Sequence, residues 1–341
     1  MRTRLPELAG PTLLLIAVAL VGSLLSAGLQ FQVLSILVTT AIVVSMYVFI
    51  GNSGVLSFGH ISFVAVGAFA AGLATAPAEV KPTTFPDLLP FLANLEMGNI
   101  ASLALAAVLG GVFALLVGIP IMRLSGLSAG IATFAVLIIT NNVLRNWEAI
   151  GPGAKTLSLI PTTTGFLQAT IGAVLVVAAA LAYQRSRLGR MLRASREDSA
   201  AARSVGIDIH RQRLAAFALS GALAGLSGGL LVHLLGSINT QQVFLDLTFV
   251  TLAMLVVGGI GSLWGAVVGA VLVSGVNSLL AETERGMSLL GLDLQVPAGT
   301  RLILVGVLML LVLALRPEGL TGSREASWRL RRRRRAVDLE N

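Results

Sequence analysis

The sequence predicts an all-α membrane protein, a polytopic bundle of about ten transmembrane helices with a short cytoplasmic helix. Hydrophobic residues fill 55% of the 341 positions and charged residues only 12%, and the mean hydropathy is +0.89. The apolar residues come in runs of about 20, the length that crosses a bilayer as a helix. The chain has no cysteine, which excludes disulfides and thiolate metal sites, and its three histidines are too scattered to indicate a metal site.

The apolar spans are located with a window of about 19 residues. They lie at 12–28, 31–50, 61–76, 100–122, 127–144, 167–183, 214–235, 247–261, 263–280 and 301–315. They predict one transmembrane domain over 1–316, which includes a cytoplasmic segment at 185–212. Residues 317–341 lack apolar periodicity and predict a basic cytoplasmic tail.

Arginine placement predicts the orientation, because cytoplasmic loops carry an excess of Lys and Arg. Arginines precede the first span, fill 185–212 and recur in the tail, where 331–335 is a run of five. The loops that hold few positive residues are 77–99, 145–166 and 282–300, and these are assigned outside. Both termini are therefore placed in the cytoplasm, in a multi-pass protein of the inner (cytoplasmic) membrane. The net charge of +8 follows from this bias and does not indicate nucleic-acid binding.

The N-terminus also fits a secretory signal peptide. Arg2 and Arg4 would form its charged region, 13–20 its apolar core and the small residues at 26–28 its cleavage site. Cleavage would leave nine spans and would still keep the arginine-rich regions inside, so both interpretations stay open.

A glycine-rich segment separates the second and third spans. It reads Gly51-Asn-Ser-Gly-Val-Leu-Ser-Phe-Gly-His60, with three glycines in its first nine positions. Glycine in a helix interior costs about 1 kcal/mol relative to alanine, and backbone freed at membrane depth is tolerated only against protein or a water-filled cavity. The pattern predicts an interrupted helix of the kind that lines transport sites. The alternative is that these small residues only let helices pack closely.

The middle cytoplasmic segment contains a second helix signal. Ser195 is the predicted N-cap, Asp198 stands at the capping-box distance, and Gly206 occupies the C′ position. A helix of about ten residues is marginal alone in water, so we expect it to dock into a groove of another protein. A solvated connecting helix and an amphipathic helix on the membrane surface are the alternatives.

Five sequence blocks follow one another in a fixed order. They are 51–63 with Gly67-Ala68, 188–208, 216–217 with 222–228, Gly258-Gly-Ile-Gly-Ser-Leu-Trp-Gly265 with Gly269-Ala270, and Arg316-Pro-Glu-Gly-Leu320. Together they resemble the permease subunits of branched-chain amino-acid ABC importers. The resemblance covers most of the chain from 45 to 320, and the order of several separate blocks makes it specific for the family.

The resemblance implies a set of partners. A second, homologous permease subunit would pair with this chain, two ATP-binding cassette ATPase subunits would attach on the cytoplasmic side, and an extracytoplasmic solute-binding protein would deliver the solute. ATP and Mg would bind to the ATPase subunits, so this chain would bind no cofactor and would not be an enzyme. The sequence agrees, because it has no Gly-x-x-x-x-Gly-Lys-Ser/Thr loop.

Two groups of residues carry the expected roles. The resemblance implies that 190–208 lies in the coupling segment, and the residues assigned to ATPase coupling are Gly189, Arg190, Arg193, Ala194, Arg196, Glu197, Asp198, Ala201, Gly206 and Ile207. The residues assigned to the substrate pathway are Gly51, Asn52, Ser53, Gly54, Ser57, Phe58, Gly59, His60, Gly258, Gly259 and Gly261.

One external loop departs from the family pattern, which usually has a Thr-Gly-Gly-x-Gly-Gly-Leu-like run before an Ile-Pro pair. Only Gly151, Gly153 and Ile160-Pro161 remain here. The predicted solutes are the branched-chain amino acids leucine, isoleucine and valine, with urea, short amides or another small organic solute as the alternative. A secondary transporter or a channel is the alternative of a different class, but the spans lack the intramembrane ionisable pairs expected of ion coupling.

Overall fold

The computed structural model describes residues 5–284, 287–289, 292–294, 297, 300–316 and 319–322, and this part of the chain forms fourteen α-helices and one hairpin. The helices are α1 Leu5–Ser23, α2 Ala27–Ser53, α3 His60–Thr75, α4 Lys81–Thr84, α5 Pro90–Ala93, α6 Asn99–Ile121, α7 Gly126–Asn146, α8 Phe166–Arg185, α9 Arg187–Glu197, α10 Ser199–Ser204, α11 Ile209–Leu235, α12 Leu245–Gly258, α13 Leu263–Glu284 and α14 Thr300–Leu315. The strands β1 Met287–Leu289 and β2 Leu292–Leu294 pair antiparallel between α13 and α14.

Each predicted span overlaps a helix, but 12–28 runs beyond the end of α1 at Ser23 and into the start of α2. Six helical stretches in the described residues are long and apolar enough to cross a membrane, namely Ala27–Ser53, Asn99–Ile121, Gly126–Asn146, Phe166–Arg185, Ile209–Leu235 and Leu263–Leu280. Three shorter apolar helices are Gly10–Ser23, His60–Thr75 and Leu245–Gly258. The chain is therefore a multi-pass helical membrane protein, while the count of about ten spans stays a prediction. Of the predicted tail 317–341, only 319–322 belong to the described residues.

Helix α11 is the centre of the bundle. It packs against α2, α3 and α6, and glycines allow its backbone to approach two of these helices closely. A Cβ on Gly67 of α3 would lie 2.2 Å from the carbonyl oxygen of Gly225 in α11. A Cβ on Gly228 would lie 2.1 Å from the carbonyl oxygen of Val64. Small residues at such crossings let membrane helices pack backbone to backbone.

The loop between α3 and α6 is folded. Its short helices α4 and α5 surround Lys81, whose side chain is buried and donates to the carbonyl oxygens of Leu92 and Leu95. Burial lowers the pKa of Lys81, and the nearby carboxylate of Glu96 opposes that shift. The loop is also joined to the loop between α7 and α8, since the amide of Leu89 donates to the carbonyl oxygen of Ala149.

The predicted cap of the short helix that begins near 195 was wrong. Ser195 lies inside α9, and its hydroxyl donates to the carbonyl oxygen of Leu192. Asp198 is the N-cap instead, because its extended backbone ends α9 and its carboxylate accepts from the amides of Ala200 and Ala201, which starts α10. The expected C-terminal glycine is confirmed, since Gly206 has a φ of +82°.

Candidate functional site

The predicted helix interruption is confirmed. Helix α2 ends at Ser53, Gly54 follows in the left-handed region with a φ of +69°, and α3 begins only at His60. The non-helical residues 54–59 thus connect two apolar helices. Glycine adopts this backbone conformation at little steric cost, which explains why the helix stops there.

The carbonyl oxygen of Gly51 is one of those that the end of α2 leaves without a helical partner. The amide of Gly54 closes the turn on Ile50, but the amide of Val55 donates to the hydroxyl oxygen of Ser53. Val55 would otherwise have donated to Gly51, four residues earlier. The carbonyl oxygen of Gly51 instead accepts a hydrogen bond from the guanidinium of Arg196 on α9, with an N–O distance of 2.7 Å.

A buried hydrogen-bond chain joins the start of α3 to α11. The hydroxyl of Ser220 donates to the carbonyl oxygen of Ser45 at 2.7 Å, so its oxygen is free to accept from Nε2 of His60, also at 2.7 Å. Nδ1 of His60 then accepts from the hydroxyl of Ser57 at 2.8 Å. One tautomer of the neutral imidazole, with its proton on Nε2, satisfies the whole chain.

Aromatic rings enclose His60. Its ring centroid lies 5.6 Å from that of Phe49, 5.7 Å from that of Phe63 and 5.4 Å from that of Phe217. The imidazole has no exposed surface. In this conformation His60 joins α2, α3 and α11 and does not face open space.

We expect the His60→Leu variant to lose about 2 kcal/mol of stability, because the hydroxyl of Ser57 is then buried without a partner. The midpoint of thermal unfolding in detergent measures this loss. The double variant Ser57→Ala/His60→Leu should recover part of it, since removing both partners of a buried hydrogen bond costs less than removing one. A double variant less stable than the His60→Leu variant would contradict the proposed role of this pair.

Helix α7 covers the interrupted segment on one side. The amide of Phe58 donates to the hydroxyl oxygen of Thr133 at 3.1 Å. A Cβ on Gly59 would lie 2.5 Å from the carbonyl oxygen of Thr133, so only glycine fits between segment 54–59 and α7. Leu56 remains 44% exposed on the same segment.

The second glycine-rich block lies beside the end of α2. A Cβ on Gly51 would be 2.9 Å from the carbonyl oxygen of Ile260, in the turn between α12 and α13. Within that block, a Cβ on Gly258 would lie 2.0 Å from the carbonyl oxygen of Gly265. From block 316–320, a Cβ on Gly319 would lie 2.5 Å from Cα of Gly259, and the amide of Leu320 donates to the carbonyl oxygen of Val257. The fold therefore brings three of the sequence blocks, 51–63, 258–265 and 316–320, into one place.

The predicted pathway residues are mostly enclosed. The buried ones are Gly51, Asn52, Ser53, Ser57, Gly59, His60, Gly258 and Gly259, while Phe58 and Gly261 are half-buried and Gly54 is exposed. Whether they line a pathway stays a prediction. Sequence reasoning missed Ser220 and Thr133, which complete the hydrogen bonds of this region from α11 and α7. No local pattern marks either residue, because each partner is distant in sequence.

Most of the predicted coupling residues lie on or next to the exposed surface of α9 and α10. Those exposed are Arg190, Ala194, Arg196, Glu197, Asp198, Ala201 and Gly206, while Arg193 and Ile207 are half-buried and Gly189 is buried. The guanidinium of Arg193 donates to the carbonyl oxygen of Gln184 at the end of α8. Arg193 and Arg196 therefore contact the bundle itself, and their contact with an ATPase stays a prediction.

Comparison with known proteins assigns a family to this architecture. A family profile described as branched-chain amino acid transport system / permease component matches residues 28–313. The chain is 27% identical over 308 residues to the high-affinity branched-chain amino acid transport system permease protein LivM of Escherichia coli (strain K12), an alignment that covers 80% of this chain and 65% of the relative. The chain thus spans just under two thirds of the length of that protein.

Other relatives match less of the chain or carry other names. The probable branched-chain amino acid transport permease protein LivM of Methanocaldococcus jannaschii is 27% identical, with 79% of this chain and 86% of the relative covered. The fructose import permease protein FrcC of Rhizobium meliloti is 32% identical over 38% of this chain and 35% of its own length. No solved structure matches the chain.

Proposed function

The chain belongs to the family of permease components of branched-chain amino acid transport systems, and on that premise we propose that it forms part of the transmembrane pathway of an ATP-driven importer. The solutes are leucine, isoleucine and valine, and separate subunits hydrolyse the ATP. The observation that carries the proposal is the family match, which extends over 28–313 and includes the interrupted helix, the glycine turn and helices α9 and α10.

The partners in this proposal are a second homologous permease, two ATP-binding cassette subunits and an extracytoplasmic solute-binding protein. The surface of α9 and α10, within the coupling segment 185–212, is the ATPase contact. It carries exposed charged residues of both signs, including Arg190, Glu197 and Asp198. The protein lies in the inner membrane with both termini in the cytoplasm and about ten spans, as the positive-inside bias favours.

Solute identity needs its own test, because the relatives named for branched-chain amino acids and the one named for fructose share parts of this sequence. The external loop at 151–161, where this chain departs from the family pattern, is joined to the end of α11 by paired backbone hydrogen bonds between Leu157 and Ile238. Because this loop departs from the family pattern and the relatives differ in their named solutes, urea, short amides and other small organic solutes belong in the binding panel beside the three amino acids.

Affinity purification of the tagged chain from its native membrane, followed by mass spectrometry, tests the proposal. We expect two ATPase subunits and a second, similar permease to remain bound. Binding of the solute panel to the extracytoplasmic protein, and uptake by the reconstituted complex, then identify the solute. Recovery of this chain alone from several mild detergents would contradict the proposal and favour a self-sufficient transporter or channel.

A further inference from the structure

Helix α9 is firmly seated on the end of α8. A Cβ on Gly189 would lie 2.2 Å from the carbonyl oxygen of Tyr183, so the two helices meet with no room for a side chain. The hydroxyl oxygen of Ser186 caps α9 by accepting from the amide of Gly189. The guanidinium of Arg193 adds a 2.7 Å hydrogen bond to the carbonyl oxygen of Gln184. These contacts hold α9 against the end of α8.

One side chain extends from α9 to the interrupted helix. Arg196, one turn after Arg193, donates to the carbonyl oxygen of Gly51 in the last turn of α2. Its aliphatic stem lies over Gly54, since a Cβ there would be 2.9 Å from Cγ of Arg196. The guanidinium thus occupies the C-terminal end of α2, where the helix dipole favours a positive charge.

The carbonyl oxygen that Arg196 contacts belongs to a residue that also touches the glycine turn. Gly51 lies between Arg196 on one side and the carbonyl oxygen of Ile260 on the other. Segment 54–59, which begins three residues later, has its own contact to Thr133 of α7. A displacement of α9 that is transmitted through Arg196 therefore reaches α2, segment 54–59 and the turn after α12.

We propose that Arg196 is a positioning residue that ties the interrupted segment 54–59 to helix α9. The proposal rests on the proposed function for its role in import, where movement of α9 by an ATPase would be passed through the Arg196 side chain to the end of α2. Arg193 binds the end of α8 in the same way, whereas Arg196 donates its hydrogen bond to the helix that is interrupted. Loss of Arg196 removes this tie, while the exposed side chains of Arg190, Glu197 and Asp198 remain on the surface that a partner would contact.

Parallel measurement of leucine uptake and ATP hydrolysis by the reconstituted complex tests the transport part. In the Arg196→Gln variant we expect uptake to fall at least tenfold while ATP hydrolysis stays within twofold of the unsubstituted complex. Arg196→Lys should restore uptake in part, because an ammonium group can still donate to one carbonyl oxygen. Arg123→Gln removes an exposed cation between α6 and α7 and serves as the matched control, with both activities unchanged.

A spin-label distance tests the geometry without relying on transport. The chain has no cysteine, so Leu56→Cys and Leu188→Cys introduce one labelled pair on two exposed side chains, one in segment 54–59 and one on α9. Complexes with single labels on this chain give the background from partner subunits. In the presence of ATP and vanadate we expect one narrow distance distribution for the unsubstituted complex and a broad one for Arg196→Gln.

Two results would overturn the proposal. One is uptake and hydrolysis by Arg196→Gln that both stay within twofold of the unsubstituted complex. The other is a label distance distribution that is the same in Arg196→Gln as in the unsubstituted complex. This second result overturns the proposal even if uptake and hydrolysis both fall in that variant. If the unsubstituted complex takes up none of the three amino acids, the proposed function fails, while a broadened distribution still supports the tie between α9 and segment 54–59.

Discussion

The Gly225→Ala variant is expected to lose about 3 kcal/mol of stability, near the upper end of what overpacking a buried position costs. The added methyl group would lie 2.2 Å from the carbonyl oxygen of Ala106 in α6. A flexible side chain could rotate away, but a backbone carbonyl within a helix cannot. Helices α6 and α11 must therefore separate. The melting midpoint of the purified protein in detergent, followed by size-exclusion chromatography after heating, measures the loss.

The bundle cannot absorb that separation on the opposite side of α11. A Cβ on Gly67 of α3 would already be 2.2 Å from the carbonyl oxygen of Gly225, and Gly228 approaches the backbone of Val64 equally closely. Helix α11 is thus held between two backbones. Moving it away from α6 pushes it into α3, which also carries His60 and its hydrogen bonds.

A glycine in open surroundings provides the control. Gly275 lies in α13, and no atom of the described residues lies within 4 Å of the place where its Cβ would be. Gly275→Ala should leave the stability of the protein unchanged or raise it slightly, because alanine favours a helix by about 1 kcal/mol over glycine. Equal melting midpoints for Gly225→Ala and Gly275→Ala would show that the crossing of α6 and α11 has room for a methyl group.

The features that sequence predicted well are local. Span positions follow from runs of apolar residues, and the break at 51–60 follows from the conformational cost of three glycines near a helix end. The left-handed backbone of Gly206 follows from the same property. The cap at Ser195 was wrong because Asp198, three residues later, is an equally good N-cap, and tertiary packing of α9 on α8 decided between them.

The features that sequence could not predict are pairings between distant residues. His60 and Ser220 are 160 positions apart, and Arg196 and Gly51 are 145 positions apart. A buried histidine has two ring nitrogens to satisfy, but nothing local says which helix supplies the partner. An arginine in a predicted cytoplasmic loop likewise follows the orientation rule whether it faces solvent or a helix end, so the contact of Arg196 with Gly51 emerged only from the fold.

Import is expected to be abolished in the Gly54→Leu variant. Gly54 has a φ of +69°, a conformation that costs an L-residue about 1–2 kcal/mol. The Cβ of leucine would also lie 2.9 Å from Cγ of Arg196, so the arginine must leave its place over the end of α2. The hydrogen bond from Arg196 to the carbonyl oxygen of Gly51 is then lost. Uptake of radiolabelled leucine by the reconstituted complex measures the effect.

The Gly126→Leu variant separates backbone strain from displacement of Arg196. Gly126 has a φ of +57°, and no atom of the described residues lies within 4 Å of its Cβ position. It therefore carries a similar conformational cost without a displaced neighbour, and we expect uptake within twofold of the unsubstituted complex. If both variants lose uptake equally, strain alone accounts for the effect. Full uptake by Gly54→Leu would mean that the interrupted end of α2 tolerates a side chain, which contradicts the role assigned to segment 54–59.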